Sequence, residues 1–209
     1  MSDKLKLYDL APSPNNMKVH IALNFKELAW ERIPVDFQDR TEVVKVSGQP
    51  LTPVLVHGDR VVFDSAAILR YLDGNFRNTR PLFASDRDTM KAIEEWEVFG
   101  RTEIPKPVSM VFQQAFAEKK DPAVFAQASR LLDELTARIE ARLAEGDYLV
   151  GNRLTAADVT AAPWVSYGML PPEAAKLGDI HALFASNLKL GSGRDRTRAW
   201  VGRVMAYNS

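Results

Sequence analysis

Apolar and polar residues alternate from Leu5 to Leu10, with Leu5, Leu7 and Asp9 on one face, and this period of two predicts a first strand. Ala11-Pro12-Ser13-Pro14-Asn15-Asn16 follows as a turn-rich loop. From Met17 the period lengthens: Val19, Ala22 and Leu23 share a stripe with Ile21 beside it, which predicts a helix ending near Lys26. Trp30 to Phe37 alternates again as a second strand, and Arg40 to Val46 forms a short helix ended by Ser47-Gly48-Gln49-Pro50. Val54 to Val56 and Val61 to Phe63 are short β-branched and aromatic runs, and Gly58-Asp59 between them supplies hairpin chemistry. Asp64 and Ser65 stand where a helix must start, with Ile68, Leu69 and Leu72 on its apolar face.

Beyond that helix the pattern changes. Residues 75–85, with Pro81 and little periodicity, read as a linker, and no strand pattern follows Asp86. Ala92, Ile93, Trp96 and Phe99 trace a helical face that Gly100, Pro105 and Pro107 are expected to interrupt before helix resumes from Val108 to Lys119. Pro122 to Glu145 is a long amphipathic helix with Phe125, Leu132, Leu135, Ile139 and Leu143 on its core side. Thr155-Ala156-Ala157-Asp158 opens another helix as an acidic capping box, Pro171-Pro172 breaks the chain, and helices follow over Leu177 to Leu188 and around Trp200 and Val204. The order strand, helix, strand, helix, hairpin, helix predicts an α/β thioredoxin-like domain over residues 1–77. An all-α helical domain over residues 86–209 is expected after it.

Lys and Arg total 27 and Asp and Glu total 27, so bulk charge gives no case for nucleic acid or an anionic membrane as partner. No apolar run approaches the roughly 18 residues of a membrane span. The N-terminus passes straight into strand pattern, which makes the cytoplasm the default expectation. The absence of cysteine is more decisive. It excludes disulfides, thiolate metal sites and a cysteine nucleophile, so any thiol chemistry needs a thiol carried in by a ligand. With only His20, His57 and His181, a metal site is not expected either.

Candidate chemistry gathers around the hairpin. Pro53 opens a strand without a donor and has access to the cis form. The helix start at Asp64-Ser65 offers unpaired N–H groups and a partial positive charge to a carboxylate or phosphate. This block resembles the glutathione-binding half of the thioredoxin-like domain in cytosolic glutathione transferases. The resemblance implies that Thr52 and a cis-Pro53 pair with the backbone of the tripeptide's cysteine, while Asp64 and Ser65 take its γ-glutamyl end. Ser13 lies before Met17-Lys18-Val19-His20-Ile21-Ala22-Leu23, which is similar to the first helix of serine-type members. Its hydroxyl would there stabilise the glutathione thiolate. Ser13 before Pro14 also suits a helix N-cap. Asn15 competes for the catalytic role, whereas Tyr8, inside the first strand, is better placed as a strand residue.

One departure from the family stands out. A basic or amide residue often precedes the cis-proline by two positions, and here that place holds Leu51. Gln49 or Lys45 would have to reach the glycine carboxylate instead. The box at Thr155 and Asp158 is similar to one in the family's helical domain, where it serves folding. The resemblance spans most of the chain and thins after Pro171.

It implies a glutathione transferase, with glutathione as co-substrate, a small apolar electrophile and a homodimeric assembly. One or two of Trp96, Phe99, Phe112, Trp164 and Tyr167 would line the electrophile pocket. Two other functions fit the same scaffold. One is a glutathione-dependent peroxidase or disulfide reductase, with ligand thiols doing the redox work. The other is a non-catalytic transferase-like module that docks partner proteins.

Overall fold

The computed structural model describes residues 4–208, which form two compact units: residues 4–83 together with 206–208, and residues 84–205.

The first unit is built on a four-stranded sheet. β1 (Leu5–Asp9) pairs parallel with β2 (Trp30–Pro34) and antiparallel with β3 (Val54–His57), which pairs antiparallel with β4 (Arg60–Phe63), giving the order β2-β1-β3-β4. Leu5, Leu7 and Asp9 share the buried face of β1, as the alternation predicts. His57 pairs with Arg60, so Gly58-Asp59 form a two-residue turn in which Gly58 takes φ 58° without steric penalty. β2 ends at Pro34 rather than Phe37, and Phe37 is exposed.

Helix α1 spans Pro14–Phe25 and starts three residues before the predicted Met17. The reason is Pro14: its ring presets a helical φ at the first position, where no N–H is needed. Short α2 (Thr41–Ser47) closes on Gly48 at φ 75°, and α3 spans Ser65–Asn75. Val19, Ala22 and Leu23 of α1, with Ile68, Leu69 and Leu72 of α3, are fully buried. Lys26, also buried, donates to the Asp73 carboxylate at 2.8 Å and the Arg80 carbonyl at 3.0 Å, while Asp73 accepts from the Leu82 and Phe83 N–H groups. That ion pair fixes the chain leaving α3, and removing one partner would leave the other charge buried alone.

The second unit is helical: α4 (Arg87–Thr102), α5 (Pro105–Gln114), α6 (Pro122–Arg142), α7 (Ala156–Val165), α8 (Asp179–Asn187) and α9 (Asp195–Met205), with two short 3₁₀ segments, Ser166–Met169 and Pro172–Leu177, between α7 and α8. Gly100 does not interrupt α4. A Cβ there would meet Thr160 Cγ2 at 3.1 Å and Ala161 at 3.4 Å, so the glycine sets how closely α4 and α7 approach. Nine of the ten α7 residues are buried. Its capping box is complete, and the Asp158 carboxylate also accepts from the Leu149 N–H and from Trp200 Nε1 of α9, each at 2.8 Å.

Candidate active site

Three chain segments meet at one edge of the first unit, and hydrogen bonds between side chains hold them in register. Asn16, 1% exposed near the start of α1, donates through Nδ2 to the Leu10 carbonyl and to Thr52 Oγ1, both at 3.1 Å. It thereby ties the loop carrying Ser13 to Thr52, whose bond to Pro53 is cis. Ser65, buried at the start of α3, makes a long contact to Asn15 Oδ1 at 3.5 Å. Side-chain contacts therefore join Asn16 to Thr52 and Asn15 to Ser65, and the chain itself joins Asn15 and Asn16 to Ser13 and Thr52 to Pro53.

Ser13 is the N-cap of α1 by its backbone alone. It is extended, at φ −139° and ψ 122°, and its carbonyl accepts from the N–H groups of Asn16 and Met17. Its hydroxyl makes no capping bond. The helix start beneath it lacks an N–H at Pro14 and spends those of Asn16 and Met17 on the Ser13 carbonyl, so its chief contribution is the positive end of the dipole.

Asp64 caps α3, its Oδ1 accepting from the N–H groups of Ala66 at 3.0 Å and Ala67 at 3.1 Å. It does so at φ 69°, a left-handed conformation that costs a non-glycine residue on the order of 1 kcal/mol or more. Gln49 is directed elsewhere. Its amide donates to Ser47 Oγ and the Leu51 carbonyl and accepts from the Leu51 N–H at 2.6 Å, so both ends are engaged in its own loop. Lys45 pairs with Glu42 on the surface of α2.

Two features escaped the sequence pattern. Lys18, 2% exposed, places Nζ 3.4 Å from Ser65 Oγ, bringing a buried cation to the candidate carboxylate site. Its spacing of three from Asn15 on α1 was the available signal. The other is a cleft of about 300 Å³ on which Ser13 and Asn16 also border. Asp9, 1% exposed at the end of β1, lies there between His20, 3.1 Å from Oδ1, and Arg32, whose Nε donates to Oδ2. Asp9 Oδ1 and His20 Nε2 are at ion-pair distance but off the line of a hydrogen bond. Burial pushes the Asp9 carboxyl up, but attraction to His20 and Arg32 outweighs it and holds the group below the usual carboxylate range. His20 stacks on Trp30, with centroids 5.1 Å apart, and its Nδ1 faces Asn208 Oδ1 at 3.3 Å.

Known proteins carry the same two-part organisation. A family pattern described as the glutathione S-transferase N-terminal domain matches residues 7–80, and one described as the C-terminal domain matches residues 99–207. Glutathione S-transferase 3 of Zea mays is 30% identical over 167 residues, covering 76% of this chain and 75% of that protein. Glutathione S-transferase F10 of Arabidopsis thaliana is 27% identical, covering 88% and 84%. The solved apo structure of glutathione S-transferase III superposes with a TM-score of 0.72 at 26% identity, covering 97% of this chain and 92% of that one.

Proposed function

Because the chain belongs to the glutathione transferase family, we propose that it conjugates the glutathione thiolate to small apolar electrophiles. The first unit is the glutathione-binding domain in this proposal. Thr52 and cis-Pro53 pair with the tripeptide's cysteine backbone, and Asp64 and Ser65 receive the charged γ-glutamyl end, with Lys18 behind Ser65 supplying positive charge for its carboxylate. Ser13 donates to the sulfur. A free thiol has a pKa of about 8.5, and each unit by which the site lowers it represents about 1.4 kcal/mol. A hydroxyl and a helix N-terminus aimed at one atom supply stabilisation of that size.

The observation that carries this assignment is the Ser13 hydroxyl, which stands at the N-terminus of α1 and caps nothing. Asn15, by contrast, is joined to Ser65 and orients the binding end of the site. The thiolate then attacks the electrophile, its proton having passed to solvent. Retention on immobilised glutathione, followed by turnover of an aryl halide and of a hydroperoxide, tests the proposal. Retention with aryl halide conjugation supports it. Hydroperoxide reduction alone would reassign the protein as a peroxidase, and neither retention nor turnover would leave a docking module.

We also propose a homodimer in the cytoplasm. Val61 and Phe63 of β4 are 39% and 47% exposed, an apolar strand surface suited to a second copy. No helix among the described residues is long and apolar enough to cross a membrane. Sedimentation at micromolar concentration checks the assembly, with a single monomeric species counting against it.

A further inference from the structure

The site proposed for glutathione is furnished unequally at its two ends. At the γ-glutamyl end Asp64 and Ser65 adjoin, and the buried Lys18 brings Nζ to 3.4 Å from Ser65 Oγ. On that reading the third residue of the tripeptide falls against the chain entering Thr52, where the polar groups are spent on one another. Gln49 Oε1 accepts from the Leu51 N–H at 2.6 Å, and its Nε2 donates to Ser47 Oγ at 2.9 Å and to the Leu51 carbonyl at 3.0 Å. Ser47 Oγ in turn lies 2.8 Å from the Val43 carbonyl and 3.0 Å from that of Gln49. Leu51, 73% exposed, sets an apolar side chain beside Thr52. The cations of residues 36–51 are Arg40 and Lys45. Arg40 donates to the Phe37 carbonyl and lies over the Phe37 ring, and Lys45 stands 2.6 Å from Glu42. Asp36, Asp39 and Glu42 outnumber them. A carboxylate placed there meets a saturated amide, an apolar side chain and more acids than bases, so a neutral group loses nothing by replacing it.

We propose that the site reads its thiol peptide at the γ-glutamyl end and at the cysteine but not at the third residue, with Leu51 as the specificity-determining side chain. Tripeptides whose terminal carboxylate is amidated or esterified then serve as thiol substrates alongside glutathione. The inference rests on the glutathione assignment made above and names the thiol peptides that the same site takes. With chlorodinitrobenzene as electrophile, the thiol proton passes to solvent and the sulfur bonds to the ring carbon that carries chlorine. Chloride leaves with the bonding pair. The third residue takes no part in that chemistry, so its charge acts on binding alone. At the other end the γ-glutamyl carboxylate keeps charge-assisted contacts to Ser65 and Lys18, which a peptide lacking that residue cannot replace.

The test compares glutathione with its glycinamide, which differ only in the terminal charge, and with cysteinylglycine, which lacks the γ-glutamyl residue. In the unmodified protein kcat/KM for glutathione and the glycinamide should agree within about twofold, whereas cysteinylglycine should lose about a hundredfold. Arg40→Ala and Lys45→Ala should leave the first ratio near one. Leu51→Lys places a cation at the third residue and should open that ratio to about fivefold in favour of glutathione, shrinking as salt is raised. A loss of about tenfold or more for the glycinamide in the unmodified protein overturns the inference, and a ratio that stays near one in Leu51→Lys removes Leu51 from its role. Calorimetry with unreactive S-methylglutathione and its glycinamide separates this inference from conjugation. Equal binding of the two without turnover of chlorodinitrobenzene keeps the peptide selectivity and refutes conjugation. Turnover with a strong preference for the free carboxylate does the reverse, and binding of neither peptide refutes both.

Discussion

Asp9 and Asp158 are both buried carboxylates, 1% and 0% exposed, one in each unit, and their surroundings differ in kind. Asp158 accepts only from neutral donors: the Leu149 and Thr155 N–H groups, the Thr155 hydroxyl and the Trp200 indole, at 2.8 to 3.0 Å. Burial pushes its carboxyl up against the pull of those donors. Asp9 lies between the Arg32 guanidinium and the His20 ring, stands at the wall of an open cleft and is held low. A carboxylate saturated by neutral donors organises a helix start. One held by a half-exposed arginine at the wall of a cleft stays coupled to solvent. The helical unit has committed its acid to folding, whereas the sheet unit keeps charge at its surface.

The largest expected effect breaks the Asp158 side of this contrast. Asp158→Ala orphans four donors in a packed interior and should cost about 3–5 kcal/mol in urea unfolding. The folded fraction should still bind glutathione with unchanged affinity. Asp9→Asn should cost less, about 1–3 kcal/mol, because Arg32 is half exposed and solvent screens it.

The two acids should also differ in the sign of their pH dependence. Asp9 is lowered on folding, so its contribution is complete above the unfolded value of about 3.9 and is lost as pH falls through the lower folded value. Asp158 is raised, so the fold holds its proton more tightly than the unfolded chain does. Its contribution is greatest below about pH 3.9 and shrinks as pH rises toward the folded value. Urea midpoints of each variant against the unmodified protein, across about pH 3–7, should therefore diverge in opposite directions. Parallel profiles would contradict the contrast.

The contrast also marks what a sequence discloses. The Thr155–Asp158 box and the Gly58-Asp59 hairpin lie within four residues of chain, and local periodicity exposed both. The start at Asp64-Ser65 was legible for the same reason, and Thr52-Pro53 pointed to the cis bond that the structure contains. Gly100 misled because a glycine admitted for close helix approach looks identical to one that ends a helix. Asp9 with Arg32 and Lys18 with Ser65 join residues 23 and 47 positions apart, and no periodic pattern encodes such pairs. Gln49 failed for a subtler reason, since its composition suits a ligand contact while its amide is consumed by its own loop.

Smaller effects sharpen the sheet unit's side. Ser65→Ala should weaken glutathione binding by about 1–3 kcal/mol, measured by titration calorimetry, because a bond to a charged group is lost. Fold should hold, since the Asp64 carboxylate continues to cap α3. Ser13→Ala should change stability by less than about 0.5 kcal/mol, because its hydroxyl caps nothing, whereas a side-chain cap would cost about 1 kcal/mol.

The central claim is that the Ser13 hydroxyl holds the glutathione thiolate. The pKa of bound glutathione, followed by thiolate absorbance in the unmodified, Ser13→Ala and Asn15→Ala proteins, tests it most directly. The account predicts a rise of about one unit or more in Ser13→Ala, with turnover at about pH 6.5 falling roughly tenfold and glutathione affinity little changed. A bound-thiol pKa that stays fixed in Ser13→Ala and moves only in Asn15→Ala would contradict it and pass the catalytic role to Asn15.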